Sequence, residues 1–452
     1  MMSVTNTLAA FAVETPTAAV PPDVTARALA LATDLIGSAV RAAQEAESTP
    51  AILAMLHQMG MDGAGDCTVF GLNRRYGPAA AALLNGCFGH SLDFDDTHAD
   101  SSLHPSAPVV PAALAAAQIS GASGAEFLAA VVVGLEVCCH LGVALNPAAH
   151  YARGFHPSAT AGTFGAAAAA GRLLGLDRGA MASAFGVAAS QASGSLQFLV
   201  NGAWNKRYQV GEAAMKGLIA ASLSAKGFLG AADAIEGTHG FLRGYSDNAD
   251  PALAVHQLGQ VWETLRIGVK PYPACRYTHA AVDGLLRLRR DLGLAPAEVD
   301  SVIVGLHRNG ITLVGTPLPE KRRVRSIVEG QFSMPFAASV ALLRGGFGYD
   351  DYDLLGQTEV DALSDRIDVR RDESLEGLRH PFGATLTVSA RGQSHILRIP
   401  DPSGEPETFP TAAATAAKFQ TLAGPVLNEG ADALLDRLQN LPQAPSLRDW
   451  FV

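Results

Sequence analysis

Through the first half of the chain, apolar residues recur at the spacing of helices that bury one face. Behind Pro21-Pro22-Asp23, the run VTARALALATDLIGSAVRAAQ sets Val24, Ala28, Leu31, Leu35 and Val40 close to a 3.6-residue period. The same pattern predicts helices near 50–60, 78–94, 105–118, 124–144, 158–174, 178–192, 208–226 and 250–258, separated by Gly, Pro or short polar breaks. After Trp262 the period changes. Val299–Leu306, VDSVIVGL, is β-branched and alternating, and the segment from Ala384 to Ile399 reads as a hairpin turning at Arg391-Gly392. A helix near 331–344 follows the basic stretch Lys321-Arg322-Arg323-Val324-Arg325, which reads as a solvated face. Helical periodicity returns from Thr411. The pattern thus predicts a mainly α chain: a large all-helical domain over 1–265, a smaller α+β domain over 266–402, and a return to the helical domain over 403–452.

Composition agrees with well-buried cores, since 48% of the 452 residues are hydrophobic and 17% charged. A net charge of −10 argues against nucleic acid or an acidic membrane surface as partner, while leaving room for a local cationic pocket. The five cysteines are odd in number and form no CxxC pair, which fits buried thiols in a reducing compartment. No basic residue precedes Arg27, so a secretory n-region is lacking and the expected location is cytoplasmic. The most apolar run, AAVVVGLEVCCHLGVAL, carries Glu136 and His140 near its middle, unlike a membrane span. The uncharged stretch from Gly179 to Asn205 reads as helices packed closely in a core. Nucleotide cofactors are disfavoured because neither a Walker-type loop nor a GxGxxG after a strand is present.

Candidate chemistry concentrates in residues 85–108, NGCFGHSLDFDDTHADSSLHPSAP. If the helix runs to Thr97, then His90, Asp93 and Thr97 share one face and Asp95 points toward solvent or a helix end. His104-Pro105-Ser106 opens the next helix, so His104 lies where an anionic substrate is favoured by free N–H groups and the macrodipole. Asp93-Phe94-Asp95-Asp96-Thr97 also fits the DxDxT motif of haloacid-dehalogenase-type phosphatases. That motif must follow a β-strand, and the preceding GPAAAALLNGCFGHSL has helical composition instead. No zinc or calcium ligand spacing is present, so no metal is expected.

Three further places carry polar groups in sequence that reads as buried or tightly turned. His156-Pro157-Ser158 repeats the HPS tripeptide, giving a second helix-start histidine. Lys206 and Arg207 end the uncharged run, where Arg can clamp a carboxylate and a desolvated Lys can act as base. The proline-stiffened segment from Lys270 to His279 bears Lys270, Tyr272, Arg276 and His279 at the domain boundary, where clefts form. Together these residues specify a cationic pocket with several groups titrating near neutrality, suited to acid/base chemistry on a small polycarboxylate, one of His104 and His156 serving as base and the other as acid.

The stretches HSLDFDDTH with a following HPS, GFHPSATAGTFGAAAAAGRLLGL, KGFLGAADAIEGTHGFL, KPYPAC with a following His, and QFSMPFAASVAL resemble the MmgE/PrpD family, in order and over most of the chain. That family includes 2-methylcitrate dehydratase, cis-aconitate decarboxylase and iminodisuccinate epimerase. The resemblance implies a cofactor-free homodimer whose helical domain is formed by both chain ends and whose smaller α+β domain is a lid. It carries catalytic roles onto Asp93, His104, His156, Lys206 and His279. Around them, Thr97, Arg207, Gln209, Lys270, Tyr272 and Arg276 are the substrate-binding candidates. Where many members read KRxHxG, this chain has Gln209, which exchanges no proton near neutral pH. The expectation is a lyase acting next to a carboxylate, first a hydro-lyase, with epimerase and decarboxylase as rivals, a carboxylate-binding module as remote alternative, and 2-methylcitrate not the best substrate.

Overall fold

Ser3 starts the first helix by accepting a hydrogen bond from the Asn6 N–H, and α1 (Val4–Glu14) follows, an element the periodicity did not announce. The computed structural model describes residues 3–377 and 381–451. Prolines in the first turn open α2 (Pro22–Glu45), α3 (Thr49–Gln58) and α4 (Pro78–Ser91). Between the last two lies a small hairpin of β1 (Ala64–Thr68) and β2 (Arg75–Tyr76). Next come β3 (Thr97–His98), α5 (Ser106–Ser120) and α6 (Gly124–Ala144), the last started by a capping box of Ser123 and Glu126. Then α7 (Pro147–Ala152), α8 (Pro157–Leu173), α9 (Arg178–Gln191) and α10 (Asn205–Ala225) continue the helical series. The chain divides into two units, residues up to Gly268 with Thr411 onward, and Val269–Pro410.

Within the first unit, small residues let helices cross closely. A Cβ on Gly134 of α6 would meet the Gly165 carbonyl oxygen of α8 at 2.7 Å, and one on Gly86 of α4 would meet the Gly211 Cα of α10 at 2.7 Å. Among the described residues α6 is the one helix long and apolar enough to cross a membrane, and 94% of its apolar window is buried within the protein. Its Glu136 carboxylate is held by the Glu263 N–H at 3.0 Å and by the Thr264 N–H and Oγ1, both at 2.7 Å. This anchors the segment leading to β4 (Ile267–Gly268), which pairs antiparallel with β3.

The second unit is a four-stranded sheet with helices. Its strands are β5 (Val299–Leu306), β6 (Ile367–Arg371), β7 (Ala384–Ala390) and β8 (Gln393–Ile399), in the order β6-β5-β7-β8. The β7–β8 hairpin turns at Arg391 and Gly392, whereas β6, parallel to β5, was not foreseen because IDVRR carries little apolar signal. The basic stretch is solvent-facing in part, with exposed pairs Arg323–Asp365 and Arg325–Asp361, both at 2.8 Å.

Three expectations need correction. No helix spans 250–258: only the short turn Leu253–Val255 forms, and Gln257, at φ 52°, leaves helical space. The helix expected over 78–94 stops at Ser91, because Asp93 takes φ 52°. The uncharged run is only half core. Beyond α9 it becomes a short 3-10 turn that exposes Val200 to 77%.

Candidate functional site

The early stop of α4 builds the site. Leu92 is still helical, Asp93 turns left-handed, and the next residues run back past the end of the helix into β3. A positive φ is a strained choice for a non-glycine residue and is least costly for Asp and Asn. The turn takes Thr97 off the His90 face and into β3, half-buried beside β4. It also reverses the expectation for Asp95, which is fully buried and accepts a 2.6 Å hydrogen bond from His90 Nδ1–H. Asp96 is buried too, receiving the Ser106 N–H at 3.3 Å and bonding the Ser106 hydroxyl. Burial, with the Asp95 charge adding, pushes its carboxyl well above the ordinary range.

Around this loop three imidazoles gather. The His90 ring lies 4.9 Å from His104, edge to face, and 5.9 Å from His156, stacked. His104 precedes α5 by two residues, its N–H donating to Ser158 Oγ at 3.0 Å and its Nδ1–H to the Asp96 carbonyl oxygen at 2.7 Å. His156 is the N-cap residue of α8 but makes no side-chain cap bond, so capping does not explain it. Burial pulls His156 well below the ordinary imidazole value, and the His90, Lys206 and His104 charges pull the same way, Asp95 opposing. His90 is lowered likewise, by burial first, with Asp95 resisting.

The cations divide. Lys206, in the first turn of α10, ion-pairs with Asp93; its neighbour Arg207 turns the other way, toward Ser48 Oγ at 3.2 Å and Glu47 at 3.7 Å. The structure therefore brings Asp93, His104, His156, Lys206 and Gln209 together but does not place the Arg207 guanidinium with them. Gln209 bonds His156 Nδ1 at 2.7 Å. The Gly86–Gly211 crossing of α4 and α10 sets the register that lets Lys206 meet Asp93.

In the second unit the candidates brace their own segment. Arg276 pairs with Glu405 at 2.6 Å and donates to His279 Nδ1 at 3.1 Å, while His279 Nε2–H donates to the Ala274 carbonyl at 3.1 Å. Both His279 nitrogens are thus engaged. Tyr272 donates to Asp283 at 2.6 Å, and burial holds its phenol above the ordinary range. Lys270 is buried.

His90, Asp95 and His104 offer three potential metal-ligand atoms within 4.8 Å of one another. The Asp96 carbonyl and the Asp95 carboxylate only accept, so both Nδ1 atoms carry protons and the lone pairs of the neutral rings lie on Nε2.

Sequence reasoning placed His90 on the Asp93 face without a role, and it missed Asp95, Asp96 and Ser106. The HxxxxD spacing of His90 and Asp95 was the available signal, hidden by extending the helix. The assembled groups can bind carboxylate with Lys206, donate from His156 and exchange a proton at His104.

Known proteins match the chain over most of its length. The models of the MmgE/PrpD N-terminal and C-terminal domains match residues 6–254 and 272–441. A cis-aconitate decarboxylase of Aspergillus terreus (strain NIH 2624 / FGSC A1156) is 30% identical over 434 residues, covering 91% of this chain and 87% of that protein. The cis-aconitate decarboxylase of Homo sapiens is 31% identical over 284 residues, 60% of this chain and 56% of its own length. A cis-aconitate decarboxylase-like protein, oryM, of Aspergillus oryzae (strain ATCC 42149 / RIB 40) is 36% identical over 241 residues, half of each chain.

Proposed function

The chain belongs to the MmgE/PrpD family, and on that premise we propose that it is a cofactor-free lyase that decarboxylates a cis-aconitate-like polycarboxylic acid. The observation that carries the reading is the Lys206–Asp93 pair set beside three imidazoles, two of them buried and one of these held neutral. In the reaction the bond from a carboxylate carbon to the carbon skeleton breaks, CO2 leaves, and the electron pair spreads over the remaining unsaturated acid. A proton then adds to carbon. Lys206 stabilises the charge that develops, His156 hydrogen-bonds a substrate oxygen, and His104 handles the proton.

Dehydration, the first expectation from sequence, would use the same anion stabilisation but needs a base for carbon and an acid for the departing hydroxide. The relatives named above tilt the choice toward CO2 loss. In this reading the second unit acts as a lid, the working form is a homodimer in the cytoplasm, and the ligand is a small acid, not nucleic acid or membrane.

The test is a panel of aconitate-like, citrate-like, malate-like and imino-dicarboxylate acids in D2O, read by mass. Loss of CO2 with one deuterium gained on carbon, unchanged after exhaustive chelation, is the expected result. Water loss alone would make the chain a dehydratase, and exchange without net loss an epimerase.

A further inference from the structure

The two helix-start histidines carry their ring protons on opposite nitrogens, and for His156 the residue that decides this is Gln209. The Ser195 backbone N–H can only donate, and it reaches Gln209 Oε1 at 3.1 Å. The amide nitrogen must then be the atom facing the Ser195 carbonyl at 3.4 Å and His156 Nδ1 at 2.7 Å. An amide NH2 only donates, so His156 Nδ1 offers its lone pair and the neutral ring keeps its proton on Nε2. Gln209 is the ring's only hydrogen-bond partner among the described residues. For His104 the logic inverts: Nδ1 faces a carbonyl oxygen, which only accepts, so the lone pair is on Nε2.

We propose that Gln209 is a positioning residue that fixes His156 as a permanent neutral Nε2–H donor to a substrate oxygen, leaving proton exchange with substrate carbon to His104 Nε2. The inference rests on the lyase reading and adds to it which histidine moves a proton. The surroundings favour the neutral ring. His90 of α4, His104 ahead of α5 and Lys206 of α10 oppose a cation there, against the single counter-charge of Asp95 among the leading influences. Phe198 closes one edge of the ring at 5.7 Å. A group at 209 able to accept instead of donate would undo the arrangement.

The experiment uses the full chain labelled with 15N in the histidine rings, the His156 signals being assigned by their loss in His156→Gln. Between about pH 5.5 and 8, Nδ1 should remain pyridine-like and Nε2 pyrrole-like. The reverse pattern, or a titration within that range, overturns the proposal. Gln209→Leu should lower kcat about tenfold to a hundredfold with little change in KM. Gln209→Glu should move the ring proton to Nδ1 and add a second ionisation to a kcat/KM profile that in the wild type shows one. A wild-type profile with two limbs, one removed by His156→Gln, overturns the proposal, as does unchanged kcat in both variants. Should either variant fail to fold, the wild-type ring spectrum still decides. Because that spectrum needs no substrate, failure to turn over any acid would refute the lyase reading separately.

Discussion

Lys206 and Asp93 form the charge pair on which the proposed chemistry depends. Their side chains are 16% and 5% exposed, so truncation of the lysine takes a counter-charge from a carboxylate that water reaches poorly. Lys206→Ala should lower kcat by about 10²–10³ and cost roughly 1–3 kcal/mol of stability, measured by steady-state turnover and urea melts; wild-type turnover would remove Lys206 from the site. Asp96 offers the opposite case. Its carboxyl is raised well above the ordinary 3.8, so at neutral pH the unfolded chain gains ionisation that the fold resists, and this opposes folding. Asp96→Asn keeps an acceptor for the Ser106 N–H and replaces the oxygen that accepts from the Ser106 hydroxyl by an NH2 that can donate to it. Its melting temperature should exceed the wild type's at pH 7, the gain vanishing as pH falls toward 3.8; a lower melting temperature at pH 7 would contradict the raised carboxyl. Identity at this scale was legible: Asp93, His104, His156 and Lys206 stood out as chemistry in apolar surroundings, and Gln209 as a departure from the KRxHxG pattern of the family. Direction was not, since neither the Asp93 turn nor the choice of Arg207 for Glu47 follows from periodicity.

Helices fix how closely those residues approach. Where α4 and α10 cross, a Cβ on Gly211 would collide with Cys87 Sγ and the Leu83 carbonyl oxygen, about one and a half helical turns from Lys206. Gly211→Ala should therefore cost about 1–3 kcal/mol and depress turnover further than that loss explains, by moving Lys206 off Asp93. Activity retained at full occupancy of the folded state would show that the crossing does not set the register. The sequence made the long helices readable because each buries a wide apolar face, as in α2 and α6. It hid β6 and the short turn at 253–255, whose stability comes from partners far along the chain.

For the whole molecule, buried histidines set the response to acid. His90, His150 and His156 are all held below their ordinary 6.5, while His140 is raised: burial opposes its charge, but Glu136, Glu263 and the Leu253 carbonyl together outweigh burial. A lowered histidine binds fewer protons folded than unfolded, so its contribution is lost as pH falls from about 6.5. His156→Gln should flatten the decline of melting temperature between pH 7 and pH 5 relative to the wild type; parallel curves would mean the ring titrates freely. One latch in the first unit has a consequence in time. Lys418, in the helix Ala412–Leu427, bonds Asp34 at 2.7 Å and the Phe94 carbonyl at 2.8 Å, gripping the loop that carries Asp93, Asp95 and Asp96. During synthesis the ribosome delivers that lysine more than 300 residues after Phe94. The contiguous unit Val269–Pro410 has by then emerged and can fold on its own schedule. The nascent chain thus carries its acidic loop unlatched until more than 300 further residues have been made.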